Sequence, residues 1–160
     1  MSSLQHVLAL LVQPEHDDRE MYAEFLEYVG VAALCVSTAR QAMTIAPYAD
    51  VIVTGLRLPG EIHGVDLIAW LKRDHRTKSI PIVVLTACAW NAERTRAETA
   101  GCDVFLSKPC LPGDLLRALR RLLASSKSPR HVAQCRRQSR SESVATNQSS
   151  LCDVDQDEVG

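Results

Sequence analysis

The sequence predicts an α/β fold built on a doubly wound parallel sheet with helices on both faces. Its apolar runs are short and continuous rather than alternating, segments of helical period lie between them, and the two kinds of segment alternate five times before residue 125. A strand covered by helices on both sides has no face to show to water, so it reads as an unbroken apolar run.

Residues 6–12 (HVLALLV) are expected to form the first strand. Residues 17–29 then place Met21, Tyr22, Phe25, Leu26 and Val29 on one stripe, with Asp17 or Asp18 where an N-cap belongs and Gly30 where a helix stops. A weaker run at 31–36 (VAALCV) supplies the second strand, and Thr38 can cap a helix over 39–46 that ends before Pro47. The third strand is Val51–Thr54, followed by a helix over Gly64–Arg73 that gathers Leu67, Ile68 and Leu71. Residues 80–86 (IPIVVLT) read as the fourth strand, and Asn91–Ala100 as an alanine-rich helix stopped by Gly101. The fifth strand is 104–106 (VFL); Asp114 can cap a last helix that turns Leu115, Leu116, Leu119, Leu122 and Leu123 inward.

A chain of 160 residues, 46% hydrophobic and 23% charged, can bury one sizeable core and is too short for two full domains. The formal net charge of -1 and the pI near 6.5 set up no field that would gather nucleic acid or an anionic membrane surface, so neither is expected as a partner. No apolar run approaches the roughly 18 residues of a membrane span. Residues 1–5 carry no positive charge ahead of the short apolar stretch, and the chain is expected to be cytoplasmic. The cysteines, Cys35, Cys88, Cys102, Cys110, Cys135 and Cys152, are scattered without a C-x-x-C pair or a matching histidine spacing; they read as reduced thiols acting as small apolar residues.

The apolar pattern ends near Ser125. Residues 125–160 are rich in serine, arginine and glutamine, with Arg136, Arg137 and Arg140 in a short basic run and an acidic cluster at the end. Such a segment buries too little apolar surface to offset its ordering entropy. The expected organisation is therefore one domain over 5–124 and a disordered tail over 125–160, with no room for a helix-turn-helix output domain.

In doubly wound sheets the chemistry lies beyond the carboxyl-terminal strand ends. Here those are the loops after Val12, Thr54, Thr86 and Leu106. The segments around them read REMYAEFLEYVG (19–30), LRLPG (56–60) followed by Gly64, VLTA (84–87) and AGCDVFLSKP (100–109). In this order and at these intervals they resemble the response-regulator receiver family, CheY-like proteins of two-component signalling, over residues 7–123. The resemblance implies a five-stranded sheet in the flavodoxin-like order 2-1-3-4-5.

In that family a phosphoryl group passes from a histidine kinase to an aspartate at the end of the third strand. The step is mostly positioning and charge neutralisation. It uses a carboxylate nucleophile, Mg²⁺ held by acidic residues after the first strand, and a lysine and a hydroxyl that receive the phosphoryl oxygens. By resemblance the hydroxyl is Thr86 and the lysine is Lys108, which precedes Pro109 across an expected cis peptide. The acceptor position falls on Gly55 in VIVTGLRLPG, which offers neither nucleophile nor ligand. The first-strand acidic cluster reads Gln13, Pro14, Glu15, with proline where the metal is bound most directly and only Glu15 charged. The loop over 55–64 is one residue longer than the common form, and Glu61 within it is the remaining acidic candidate. Mg²⁺ demands near-octahedral oxygen ligation from very few protein carboxylates, so losing two of them predicts loss of Mg²⁺ binding and no cofactor. Thr54 is a poor substitute acceptor, because its side chain should point to the opposite face from residue 55.

Plainer readings stand beside these. Lys108 reads as a fossil of the shared fold, its ammonium paired with Glu15 or with backbone carbonyls. Thr86 either keeps its role or caps the next turn as an ordinary β-former. Phe105 matches the family's aromatic switch position and, with no phosphate to sense, reads as core. Asp17 and Asp18 read as capping residues rather than metal ligands. Trp70 and Trp90 are partner anchors or packing residues.

The function expected is that of a pseudoreceiver: a non-enzymatic signalling protein that docks a protein partner, such as a histidine kinase, through its fourth helix, fifth strand and fifth helix. The alternative is a true phosphoacceptor that uses Glu15 or Glu61. A flavodoxin-like cofactor or nucleotide enzyme shares the sheet order, but the first-strand loop QPEHDD is acidic and has no glycine-rich phosphate cradle.

Overall fold

The structure is a computed structural model and describes residues 4 and 6–125. The chain divides into two units, Met1–Ser126 and Lys127–Gly160. The tail expected over 125–160 lies outside the described residues except for Ser125, which ends the last helix.

Strand and helix alternate in the order β1 (Leu8–Val12), α1 (His16–Tyr28), β2 (Ala32–Val36), α2 (Ala39–Ile45), a single 3-10 turn (Ala46–Tyr48), β3 (Val51–Thr54), α3 (Gly64–Arg73), β4 (Ile82–Thr86), α4 (Asn91–Ala100), β5 (Val104–Ser107) and α5 (Pro112–Ser125). All strand pairs are parallel and the order is β2-β1-β3-β4-β5, as the resemblance implied.

Successive strand residues point to opposite faces, and each face carries its own core. On one, Leu11, Val53, Val83 and Leu85 pack with Tyr22 and Leu26 of α1 and Leu115 and Leu119 of α5. On the other, Leu10, Ile52, Ile82 and Val84 pack with Ala42 of α2, Leu67, Ile68 and Leu71 of α3, and Ala97 of α4. Strands β1, β3 and β4 are therefore buried almost throughout, which is why they read as continuous apolar runs. Strand β2 departs from that expectation. It pairs only with β1, and Ala32, Leu34 and Cys35 are exposed, which explains the weaker signal of its sequence. Strand β5, at the other edge, is half-buried.

Two helix starts also differ from the sequence reading. Helix α1 begins before Asp17: Glu15 takes the N-cap place without a side-chain capping bond, and Asp17 and Asp18 sit inside the first turn. The expectation that either one caps the helix is corrected; at the positive end of the helix dipole both are still favourably placed. Helix α5 begins at Pro112, whose fixed φ suits a first turn, so Asp114 lies within that turn rather than at the cap. Thr38 does cap α2, its hydroxyl accepting the Gln41 N–H at 3.3 Å, and Gly30 ends α1 with a φ of +92° that other residues rarely adopt.

Candidate functional site

The parallel register brings four strand ends to one rim. Val12 lies beside Thr54, Thr54 beside Val84, and Thr86 beside Ser107. The residues that follow these ends, together with the first turn of α1, surround a cleft of about 410 Å³. Gln13, Pro14, Glu15 and Asp18 line it from the β1 side, Gly55, Leu56 and Arg57 from the β3 side, and Thr86, Cys88, Trp90 and Lys108 from the β4 and β5 sides.

Gln13 is only 1% exposed. Its amide Nε2 donates to the Leu85 carbonyl at 3.1 Å, and its Oε1 accepts from the Lys108 ammonium at 3.0 Å. The same ammonium is paired with the Asp18 carboxylate. This corrects the expectation that Glu15 or backbone carbonyls hold Lys108: Glu15 faces solvent at the cleft edge, while Asp18 lies on the helix side turned toward the strand ends. A lysine whose side chain is 18% exposed needs such a counter-charge, because a half-buried unpaired ammonium is costly. Arg19 braces the same corner, one guanidinium nitrogen donating to the carbonyls of Gln13 at 2.6 Å and Pro14 at 2.9 Å.

Tyr22, one turn beyond Asp18, is buried and donates its O–H to the Cys110 carbonyl at 2.7 Å. The Lys108–Pro109 peptide between these contacts is cis. Burial, with smaller effects from Cys110 and Asp18, pushes the Tyr22 hydroxyl up to about 12 from 10.0. The folded state thus holds this proton more tightly than the unfolded chain, so the associated stability is complete below pH 10.0 and is lost as pH rises through about 12. Tyr22→Phe is expected to remove that alkaline decline and to cost about 1 kcal/mol for the lost hydrogen bond. Urea unfolding of both proteins at neutral and alkaline pH measures each effect.

The other sequence candidates separate clearly. Thr86 is buried and its Oγ1 accepts the Cys88 N–H at 3.1 Å, so it caps the turn while still lining the cleft. Thr54 is fully buried, donates to the Gly55 carbonyl at 2.9 Å and does not line the cleft. Glu61 also stays away, extended into solvent 3.8 Å from Arg40. Phe105 is half-buried against the core on the α3 face, with the Arg94 guanidinium 5.6 Å from its ring centroid. Trp70 packs partly buried on the same core, whereas Trp90 is 74% exposed at the cleft rim. A Cβ added at Gly55 would lie 3.4 Å from Gln13 Oε1, an ordinary contact. Among the described residues, no three His, Cys, Asp or Glu side chains come together as a metal site.

Sequence reasoning missed Asp18, Arg19 and Tyr22 as cleft-organising residues. The signal was present in the helical period, since position 18 lies four residues before the inward-facing Tyr22.

Residues 9–120 match the response regulator receiver domain family. The chain belongs to that family. Among curated receiver proteins, the polar-differentiation response regulator DivK of Brucella ovis is 26% identical over 102 residues, 62% of this chain and 82% of DivK. The phosphate regulon transcriptional regulatory protein PhoB of Pseudomonas aeruginosa is 34% identical over 116 residues, 71% of this chain and 50% of PhoB. Among solved structures, the receiver domain of a signal transduction histidine kinase from Syntrophus aciditrophicus superimposes with a TM-score of 0.70 at 27% identity, covering 76% of this chain and 93% of that one. The receiver domain of a Pseudomonas aeruginosa sensor histidine kinase, with magnesium coordinated in its active-site cleft, gives a TM-score of 0.68 at 26% identity, covering 74% and 98%. The chain is thus a receiver-domain protein of two-component signalling, and no described helix is long and apolar enough to cross a membrane.

Proposed function

We propose that this protein is a pseudoreceiver, which takes no phosphoryl group and signals by docking a protein partner. The observation that carries this reading is the cleft itself: residue 55 is glycine, and the Lys108 ammonium is already paired with the Asp18 carboxylate and donates to the Gln13 amide oxygen. In the receiver family that lysine serves an acceptor carboxylate and its phosphoryl oxygens; here its charge is answered from within the fold.

The donor set does not fit Mg²⁺. Pro14 has no ligating side chain, the Gln13 amide is committed to Leu85 and Lys108, the Asp18 carboxylate is committed to Lys108, and Glu15 alone remains. The chain is accordingly read as non-enzymatic, and its partner as a histidine kinase or another signalling protein that meets the α4–β5–α5 face.

A true phosphoacceptor is the second reading. Glu15 favours it, being a free-standing carboxylate at the cleft edge, whereas Glu61 beside Arg40 does not. A Mg²⁺ titration by calorimetry separates the two. The pseudoreceiver reading expects no binding heat up to millimolar metal; saturable binding together with an acid-labile phosphoryl adduct, both abolished by Glu15→Gln, would establish the alternative.

A further inference from the structure

Helix α1 touches the loop that follows β5 at two points one helical turn apart. Asp18 holds the Lys108 ammonium, and Tyr22 donates to the Cys110 carbonyl at 2.7 Å. Positions four apart stack on one side of a helix, so the two side chains reach the loop on either side of residue 109 as a pair. The loop makes its own turn into α5, where the Asp114 N–H donates to the Leu111 carbonyl at 2.9 Å and the Leu115 N–H to the same carbonyl at 3.2 Å. On its strand side the Lys108 N–H donates to the Thr86 carbonyl at 2.9 Å. Whatever fixes residues 108–110 therefore fixes both the end of β5 and the start of α5.

We propose that Asp18 and Tyr22 form a latch, by which α1 holds the Lys108 loop and the first turn of α5 in one arrangement regardless of what occupies the cleft. The latch rests on the docking reading for its consequence: a domain that signals without a covalent change presents its α5 face to the partner in a single preset form. Both side chains are built for the job. Tyr22 is 2% exposed with its hydroxyl satisfied, and the Asp18–Lys108 pair is screened from water on most sides, with side-chain exposures of 31% and 18%. Asp18 and Tyr22 are positioning residues, since neither touches a reacting atom.

Amide hydrogen exchange on the full chain tests the latch against two unrelated contacts. Asp18→Asn, Tyr22→Phe, Lys108→Met and the Asp18→Asn/Tyr22→Phe pair are compared with the parent at Lys108, Asp114 and Leu115. A shared latch predicts that each single change speeds exchange by a similar factor at all three amides, roughly two- to tenfold, as the net worth of a hydrogen bond implies. The Asp18→Asn/Tyr22→Phe pair should multiply the two factors. A further pair, Lys108→Met with Asp18→Asn, should fall short of the product of its two single factors, because both changes break one ion pair. Amides of α3 serve as the reference for global unfolding, and each change is expected to speed exchange at Lys108, Asp114 and Leu115 by more than it does there.

Exchange that quickens only at the residue nearest each substitution, or no change at all, overturns the latch. Beryllofluoride with Mg²⁺ supplies the second arm. The parent protein is expected to keep its exchange at residues 108–115 unaltered, and slowing there would show the loop answering to the cleft instead of to α1. A phosphoryl adduct on the parent would refute the docking reading while leaving the shared response of the three amides standing, so the two failures are distinguishable.

Discussion

Gly55→Asp alone is expected to leave the protein unable to accept phosphate, and Gly55→Asp together with Pro14→Asp to restore acceptance. The backbone at 55 is not left-handed and a Cβ there meets Gln13 Oε1 at 3.4 Å and Pro14 Cδ at 3.6 Å, so the single variant should fold. A nucleophile without a metal is not enough. Phosphoryl transfer to a carboxylate needs a divalent ion to offset the charge that gathers between two anions, and with Pro14 in place the carboxylates on the β1 side are the solvent-facing Glu15 and Asp18, which is paired with Lys108. Pro14→Asp adds an uncommitted one. It also leaves the Arg19 contacts intact, because these go to the main-chain carbonyls of residues 13 and 14. The measurement is the phosphorylated fraction after acetyl phosphate and Mg²⁺, which should pass from nothing to a readily detected share only in the double variant. Acceptance by the single variant would show that Pro14 is not the obstacle.

Gly64→Ala is expected to be among the most damaging single-methyl additions to the domain. A Cβ at that position would lie 2.2 Å from the Gly55 carbonyl oxygen and 2.6 Å from the Leu56 Cα, both main-chain atoms that no rotamer change can move aside. The contact exists because the Gly64 N–H donates to the Leu56 carbonyl at 2.8 Å, which draws the start of α3 onto the strand end. Relief requires the β3–α3 loop to shift, and overpacking of this kind costs about 3 kcal/mol. Gly113→Ala is the matched control: nothing lies within 4 Å of its added Cβ in the first turn of α5, and a gain of about 0.5 kcal/mol is expected. Urea unfolding of the two variants measures both. A Gly64→Ala protein as stable as its parent would mean that the loop yields freely, and with it the position of residue 55.

Much of this architecture could be read before any coordinates, and the reason is local. The runs at Val51–Thr54, Gly64–Arg73 and Asn91–Ala100 are bounded as the sequence suggested, because burial on both strand faces and on one helix stripe writes itself directly into residue order. The strand order was legible only through family resemblance, since apolar runs do not say which neighbours they pair with. The partner of Lys108 was not legible from chain neighbours. Glu15 is the carboxylate nearest the strand end in sequence, but the phase of α1 turns position 18 toward the lysine and leaves position 15 outside the helix, facing water. The same phase makes Asp18 an ion-pair partner instead of a cap. Trp70 and Trp90 separated for a related reason: one rides beside the buried stripe of α3, while the other precedes α4 in a loop where no stripe decides its direction.

Intact mass spectrometry of the parent protein after incubation with acetyl phosphate and Mg²⁺ is the most direct test of a cleft with glycine at residue 55 and proline at residue 14. The expected spectrum shows the unmodified mass alone, beside a Gly55→Asp/Pro14→Asp sample that carries an acid-labile phosphoryl group. An acid-labile adduct on the parent would contradict the account.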